Sequence, residues 1–342
     1  MRLRSKPLLF ALLAVACATV GTEPLPGEPP HHVEGGFRNT NPEFRRPGAW
    51  TRFVFITRRA LTRSRTIDLP RVENDGRALR ENLSAPTVTW VGHATILVQL
   101  EGVNLLTDPH WAERASPVSW TGPRRLQPPG LRFEDLPPIH IVAISHDHYD
   151  HLNLDTVQRL AASHDPIFVV PLGLKAWLES NGVSRVVELD WWGTLDHRGL
   201  RLVCVPAQHF SQRSLWDANT RLWASWAVIG SSRRLYFSGD TGYFRGFAEA
   251  GQRLGPFNLA AMQIGAYEPP EIMRAVHLTP EQAVQAAVDL RARTLLGIHW
   301  GTFDIADEPL DEPPRRMLAE AERRGIPADR AWILKYGETR GW

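Results

Sequence analysis

From residue 86 onward, short apolar runs alternate with amphipathic stretches. Residues 87–100 and 103–107 are strand-like and joined by the turn Glu101-Gly102, and residues 139–144 form a third apolar run. Residues 153–162 have helical spacing. Strands are expected at 167–170 and 186–189, with a helix between them closed by Asn181-Gly182. The second half repeats the order: strands at 200–205, 222–229 and 235–237, a helix at 244–254, and a strand at 259–264. A helix then opens at Thr279-Pro280-Glu281-Gln282, where Thr279 is the N-cap and Gln282 closes a capping box, and a strand follows at 294–298. Strands with helices outside them, twice over, predict an α/β fold built as a four-layer αββα sandwich over residues 86–342.

The first 85 residues follow other patterns. Arg2, Arg4 and Lys6 precede an apolar run at 8–16 that is too short for a membrane span and suits a secretion signal over residues 1–18. Export to the cell envelope is therefore expected. Two cleavage readings compete: Ala14-Val15-Ala16-Cys17 resembles a lipoprotein box with lipid attachment at Cys17, and Ala16-Cys17-Ala18 fits ordinary small-residue cleavage. Residues 19–47, rich in proline and glycine, read as an extended tether without chemistry. A basic amphipathic segment covers 48–85, with seven arginines and no acid between 45 and 65. Trp50, Phe53, Val54, Thr57 and Leu61 share one helical face there. Such a helix can lie on an anionic membrane or dock on the domain, and docking is the preferred reading.

Charge and cysteine content narrow the choice. Lys+Arg 39 against Asp+Glu 37 leaves a net charge of +2, which gives no global field for nucleic acid. With Cys17 in the leader and Cys204 in an apolar run, no internal disulfide is expected in the mature chain.

The chemistry concentrates at the end of the 139–144 run, where His146-x-His148-x-Asp150-His151 brings three imidazoles and a carboxylate together. A histidine-rich surface loop is the bland alternative, and this spacing is far more specific than a lone His-x-His. His146 and His148 would share one direction while Asp150 and His151 turn toward a second position, so two adjacent ions are expected. His209, Asp240 and His299 each follow a predicted strand. Singly, each reads more readily as a polar residue satisfied at a strand end; together they complete two sites. His146, His148 and His209 would fill one, Asp150, His151 and His299 the other, with Asp240 bridging. Imidazole-rich sets without thiolate favour zinc, with iron and manganese as alternatives, and two such ions hold a hydroxide able to attack a phosphoryl or acyl centre.

These residues resemble the metallo-β-lactamase superfamily. Trp90-Val91-Gly92-His93-Ala94-Thr95, Leu106-Thr107-Asp108-Pro109, the histidine cluster, Glu188-Leu189-Asp190-Trp191-Trp192, Ser238-Gly239-Asp240-Thr241-Gly242-Tyr243, Gly265-Ala266-Tyr267-Glu268-Pro269 and Ile298-His299-Trp300-Gly301-Thr302-Phe303 are together similar to its N-acylphosphatidylethanolamine-hydrolysing phospholipase D family. The resemblance implies two zinc ions and cleavage of a phosphodiester to phosphatidic acid and an N-acylethanolamine at a membrane surface. It also implies Asp150 and His277 as catalytic residues and Tyr149 and His277 as substrate contacts. His277 precedes a helix start, where anions are favoured; a locally bonded helix-entry histidine is its plainer reading. His93 and Asp108 are expected to orient ligand imidazoles. Two departures bear on the lipid: Ser119-Trp120 stand where mammalian members have Gln-Tyr, and Gln212 replaces a lysine. Seven tryptophans (Trp111, Trp120, Trp191, Trp192, Trp216, Trp223 and Trp226) are candidates for a lipid groove. A soluble phosphodiester or phosphorylated lactone as substrate, a non-catalytic metal-binding envelope protein, and a homodimer stay open.

Overall fold

The computed structural model describes residues 20–62 and 65–342, so the expected leader with Cys17 lies outside the described residues. A short ribbon, β1 (His32–Val33) and β2 (Gly36–Phe37), precedes helices α1 (Ala49–Leu61) and α2 (Arg77–Glu81). Next come β3 (Thr87–Gly92), β4 (Thr95–Leu100), β5 (Val103–Thr107), β6 (Ile141–Ala143), α3 (Leu154–His164), β7 (Ile167–Pro171), α4 (Lys175–Ser180) and β8 (Val186–Leu189). The second half runs β9 (Thr194–His197), β10 (Leu200–Pro206), β11 (Ala224–Ile229), β12 (Arg234–Phe237), α5 (Gly246–Leu254), β13 (Leu259–Gln263), α6 (Pro270–Met273), α7 (Pro280–Asp289) and β14 (Thr294–Ile298). The chain closes with α8 (Glu312–Arg323), β15 (Ala331–Trp332) and β16 (Thr339–Gly341).

Two seven-stranded sheets result, in the orders β16-β3-β4-β5-β6-β7-β8 and β15-β14-β13-β12-β11-β10-β9. Strand β6 shows why they stack. Ile141 and Ala143 face the core between the sheets, while Val142 and, just beyond, Ile144 pack outward with Val157 and Leu160 of α3. Burial on both faces of the sheet is what makes the run continuously apolar instead of alternating. Helices thus cover the sheets, giving the αββα sandwich.

Several boundaries differ from expectation. The 87–100 run is two strands, because a bulge at Trp90/Gly92 and positive φ at Gly92 and His93 turn the chain. Val91 and Ala94 keep the turn apolar and hide it in the sequence. Strand β9 lies half-exposed at a sheet edge and has only Leu195 as an apolar residue, so it left no pattern.

The N-terminal expectations need correction. Residues 20–47 do not form a free extended tether. The Phe37 amide donates to the Asn219 carbonyl, and the Asn39 amide group bonds the backbone of His209 in both directions, at 2.8 and 3.1 Å. Prolines and glycines here shape turns pinned to the sandwich. Helix α1 docks, but not through the expected stripe: its Trp50, Phe53, Val54 and Thr57 are exposed, as is the neighbouring Ile56. Its inward side carries Arg52, Phe55 and Arg59. Arg59 and Arg65 hold the buried carboxylate of Asp304, with Arg59 at 2.6 Å, and Arg58 pairs with Asp307. Ion pairs, which a hydrophobic pattern cannot register, choose the face.

Candidate metal centre

Strands β3, β5 and β6 run in one direction in the first sheet, and β10, β12, β13 and β14 do so in the second. Their C-terminal ends therefore meet along one edge of the sandwich. His93 follows β3, Asp108 follows β5, the 146–151 cluster follows β6, and His209, Asp240 and His299 follow β10, β12 and β14. Positive φ at His93, Asp108 and His299 marks how sharply the chain turns to aim these side chains.

The seven expected ligands converge as two sets. Nδ1 of His148 lies 2.9 Å from Nε2 of His146 and 3.2 Å from Nε2 of His209. In the second set, Nε2 of His151 and Nε2 of His299 are 3.1 Å apart, and Oδ2 of Asp150 lies 3.5 and 3.6 Å from them. Donor atoms bound at about 2.0–2.1 Å around a tetrahedral ion stand roughly 3.3 Å from one another. Asp240 sits between the sets: its oxygens are 3.2 and 3.0 Å from Nε2 of His151 and His299, and 4.0 and 3.9 Å from Nε2 of His146 and His209.

Hydrogen bonds on the far side of each ring decide which nitrogen is free. His209 Nδ1–H donates to the Val276 carbonyl at 2.9 Å, and His151 Nδ1–H donates to Asp108 at 2.7 Å. Ser145 donates its hydroxyl to Asp108 at 2.6 Å and so accepts from His146 Nδ1–H at 2.9 Å. Nε2 of all three rings is therefore the nitrogen turned inward, open to a cation once any proton on it has left. His93 donates to Asp150 at 2.9 Å, orienting that carboxylate. Within this electron-rich edge Oδ1 of Asp240 is buried without a hydrogen-bond donor. Several lone pairs and an orphaned carboxylate oxygen at one buried point suit a cation.

Electrostatics agrees. Burial, reinforced by neighbouring imidazoles, lowers the pKa of His146 well below 6.5; burial above all brings His148 to about 4 and His209 to about 3, so these rings are neutral and able to ligate. Burial resists ionisation of Asp150 and Asp240, yet the facing imidazoles hold both well below the usual carboxylate range. Burial also lowers His299 and His151, but Asp240 and Asp150 outweigh it, lifting His299 to about 9 and His151 well above 6.5. The carboxylates thus call for positive charge here, and an ion that takes its place between them releases protons.

A cavity of about 460 Å³ opens onto His148, Asp150 and Asp240, with His277 in its wall. Nδ1 of His277 is 3.7 Å from Asp240 and accepts a hydrogen bond from the Gln263 side-chain amide. Gln263, at the end of β13, was missed by sequence reasoning. Its signal was a polar residue inside the apolar run 259–264. Its oxygen accepts from the Thr241 amide at 3.2 Å and its nitrogen also donates to the Gly265 carbonyl at 2.7 Å, which fixes the orientation of the amide. Burial keeps His277 neutral, with its pKa at about 3, so the ring proton resides on Nε2.

Other candidates lie elsewhere. Tyr149 lines a neighbouring cleft of about 610 Å³ and donates its hydroxyl to the Arg213 carbonyl at 2.8 Å; it does not line the metal-side cavity. None of the seven tryptophans lines that cavity either. Trp223 and Trp226 are buried between the sheets, with indole N–H groups donated to the Ala207 and Ile144 carbonyls at 3.0 Å each. The apolar wall comes instead from Phe53, Phe55, Ile56, Phe210, Met273 and Val276.

Residues 103–300 match the β-lactamase superfamily domain, a span that holds all seven converging ligands. The chain belongs to the β-lactamase superfamily. Within that superfamily, it is 46% identical over 243 residues to the N-acyl-phosphatidylethanolamine-hydrolyzing phospholipase D 1 of Caenorhabditis elegans, covering 68% of each chain. To the Saccharomyces cerevisiae enzyme of that name it is 33% identical over 258 residues, 73% of this chain and 55% of the yeast protein. The structure of a metallo hydrolase from Ignicoccus hospitalis has the same fold, with a TM-score of 0.58, 21% identity and coverage of 76% of this chain and 99% of that one. The protein is a metal-dependent hydrolase of the β-lactamase superfamily.

Proposed function

We propose that this β-lactamase superfamily hydrolase is a dizinc phosphodiesterase of the phospholipase D type, cleaving N-acylphosphatidylethanolamine to N-acylethanolamine and phosphatidic acid. The observation that carries this is the cavity: an apolar chamber that ends on two adjoining His/Asp sets and is walled by a helix whose outer side is aromatic. The worm and yeast relatives bear the name of this activity. Two zinc ions would supply Lewis acidity and a nucleophile drawn from water at neutral pH.

The chain's own residues do the rest. Phe53, Phe55, Ile56 and Met273 accept apolar chains, while His148, Asp150 and Asp240 mark where the phosphoryl group must lie. His277, held by Gln263 with a proton on Nε2, is the hydrogen-bond donor to an oxygen of the substrate. Exposed Trp50 and Val54 of α1, set beside the arginines of that segment, seat the enzyme on a membrane of the cell envelope, as the leader-like first residues suggest.

The test is an assay of zinc-loaded protein on N-acylphosphatidylethanolamine vesicles beside a water-soluble diester such as bis(p-nitrophenyl) phosphate, with products identified by mass. Release of N-acylethanolamine supports the reading. Turnover of the soluble compound alone would replace it with a soluble-substrate hydrolase, and no turnover of any diester by the fully metallated protein would remove it.

A further inference from the structure

Of the seven arginines between 45 and 65, Arg63 lies outside the described residues, and the other six divide by what they touch. Arg58, Arg59 and Arg65 are spent on Asp304 and Asp307 and anchor the segment. Arg45 donates to the nearby Pro42 and Phe44 carbonyls. Arg46 and Arg52 do neither. Both line the metal-side cavity, and neither forms an ion pair among the described residues. The Arg46 guanidinium lies 4.2 Å over the Phe210 ring and reaches Gln212 only at 3.4 Å, and Nε of Arg52 is buried without a partner. Phe210 in turn packs its ring 4.5 Å from that of the ligand His148.

Two like charges brought together at an apolar wall are unfavourable unless something compensates them. Burial, with the repulsion of Arg52 added, lowers the Arg46 pKa to about 10, which still leaves that guanidinium cationic at neutral pH. The carboxylates sharing the cavity, Asp150 and Asp240, face the imidazoles of His93, His151 and His299 and not the two arginines. What is missing is an anion that enters the cavity from outside. A guanidinium fork matches phosphoryl oxygens in geometry and charge.

We infer that Arg46 and Arg52 form an anion subsite for the non-bridging oxygens of the phosphoryl group whose ester is cleaved, so that the N-terminal segment, and not the sandwich, supplies the cations that hold the substrate. This deepens the phosphodiesterase reading and rests on it for the identity of the ester. The ligand chemistry is a phosphate anion. Its source is substrate inside the cavity, as opposed to anionic headgroups of the surrounding membrane.

The experiment compares wild type, Arg46→Gln, Arg52→Gln and Arg46→Lys. Inorganic phosphate binding is measured by calorimetry on metal-free and zinc-loaded protein, together with kinetics on bis(p-nitrophenyl) phosphate and zinc content. The expected result for each Gln variant is phosphate binding weakened about 10-fold in both metal states, the cost of one charge-assisted hydrogen bond. KM should rise by a similar factor while kcat and zinc content hold, and Arg46→Lys should recover part of the binding. Unchanged phosphate affinity in both Gln variants overturns the subsite. So does weakened binding to phosphatidylglycerol vesicles with unchanged affinity for free phosphate, since the arginines would then serve the membrane surface. Because calorimetry does not depend on turnover, a protein that binds phosphate through these arginines yet cleaves no diester keeps the subsite and removes only the phosphodiesterase reading.

Discussion

The floor and the roof of the cavity are built on opposite principles. The floor is a set of histidines and aspartates on strand ends, most of them buried, in which His151, His146, His209, Asp150 and His277 are fixed from behind by hydrogen bonds to Asp108, Ser145, Val276, His93 and Gln263. The roof is one helix with few buried side chains, joined to the 304–308 loop through arginine–carboxylate contacts and showing an aromatic face to solvent. Chemistry that needs positions held within a fraction of an ångström sits on the rigid edge, whereas recognition rests on an element with a few replaceable contacts. The two can therefore be altered separately.

The comparison breaks hardest at the floor. Asp240→Asn should abolish hydrolysis and lower metal stoichiometry, because this carboxylate reaches toward both ligand sets; full metal content with normal turnover would mean the ions are not held there. Next, Asp108→Ala removes a group outside the two ligand sets that fixes His151 and, through Ser145, His146. Metal affinity should fall roughly 10- to 100-fold, read by chelator competition, with the fold intact by circular dichroism.

At the roof, Asp304→Asn should leave metal content unchanged and speed proteolysis of residues 45–65 about 10-fold, the worth of one charge-assisted hydrogen bond in local opening. The same anchor depends on pH. Burial opposes ionisation of Asp304, but Arg65 and Arg59 hold its pKa below the ordinary 3.8. Its contribution is therefore complete above about pH 4 and is lost as pH falls through the lowered folded value. Hydrogen exchange in α1 should follow that loss in wild type and be flat over the same range in Asp304→Asn. The smallest effect is expected for Trp50→Ser, where loss of one exposed aromatic anchor weakens vesicle binding about 5-fold with soluble-diester turnover unchanged. Equal losses in both assays would make Trp50 part of the fold instead of a membrane contact.

From the sequence the sandwich could be read, together with the seven side chains that converge at its edge. Apolar runs and helix caps are local signals, and a histidine or aspartate directly after a run can only lie at a strand end, so the edge was legible before any packing was known. Residues whose role depends on a distant partner were not. Gln263 matters because it meets His277, the Tyr149 hydroxyl turns to Arg213, and the 20–47 segment is pinned through Asn39 and Phe37, none of which has a periodicity to read. Tertiary structure alone decided which face of α1 turns inward. The aromatic stripe predicted burial, but buried Asp304 needs arginine, and neutralising a buried carboxylate outweighs covering a few exposed rings.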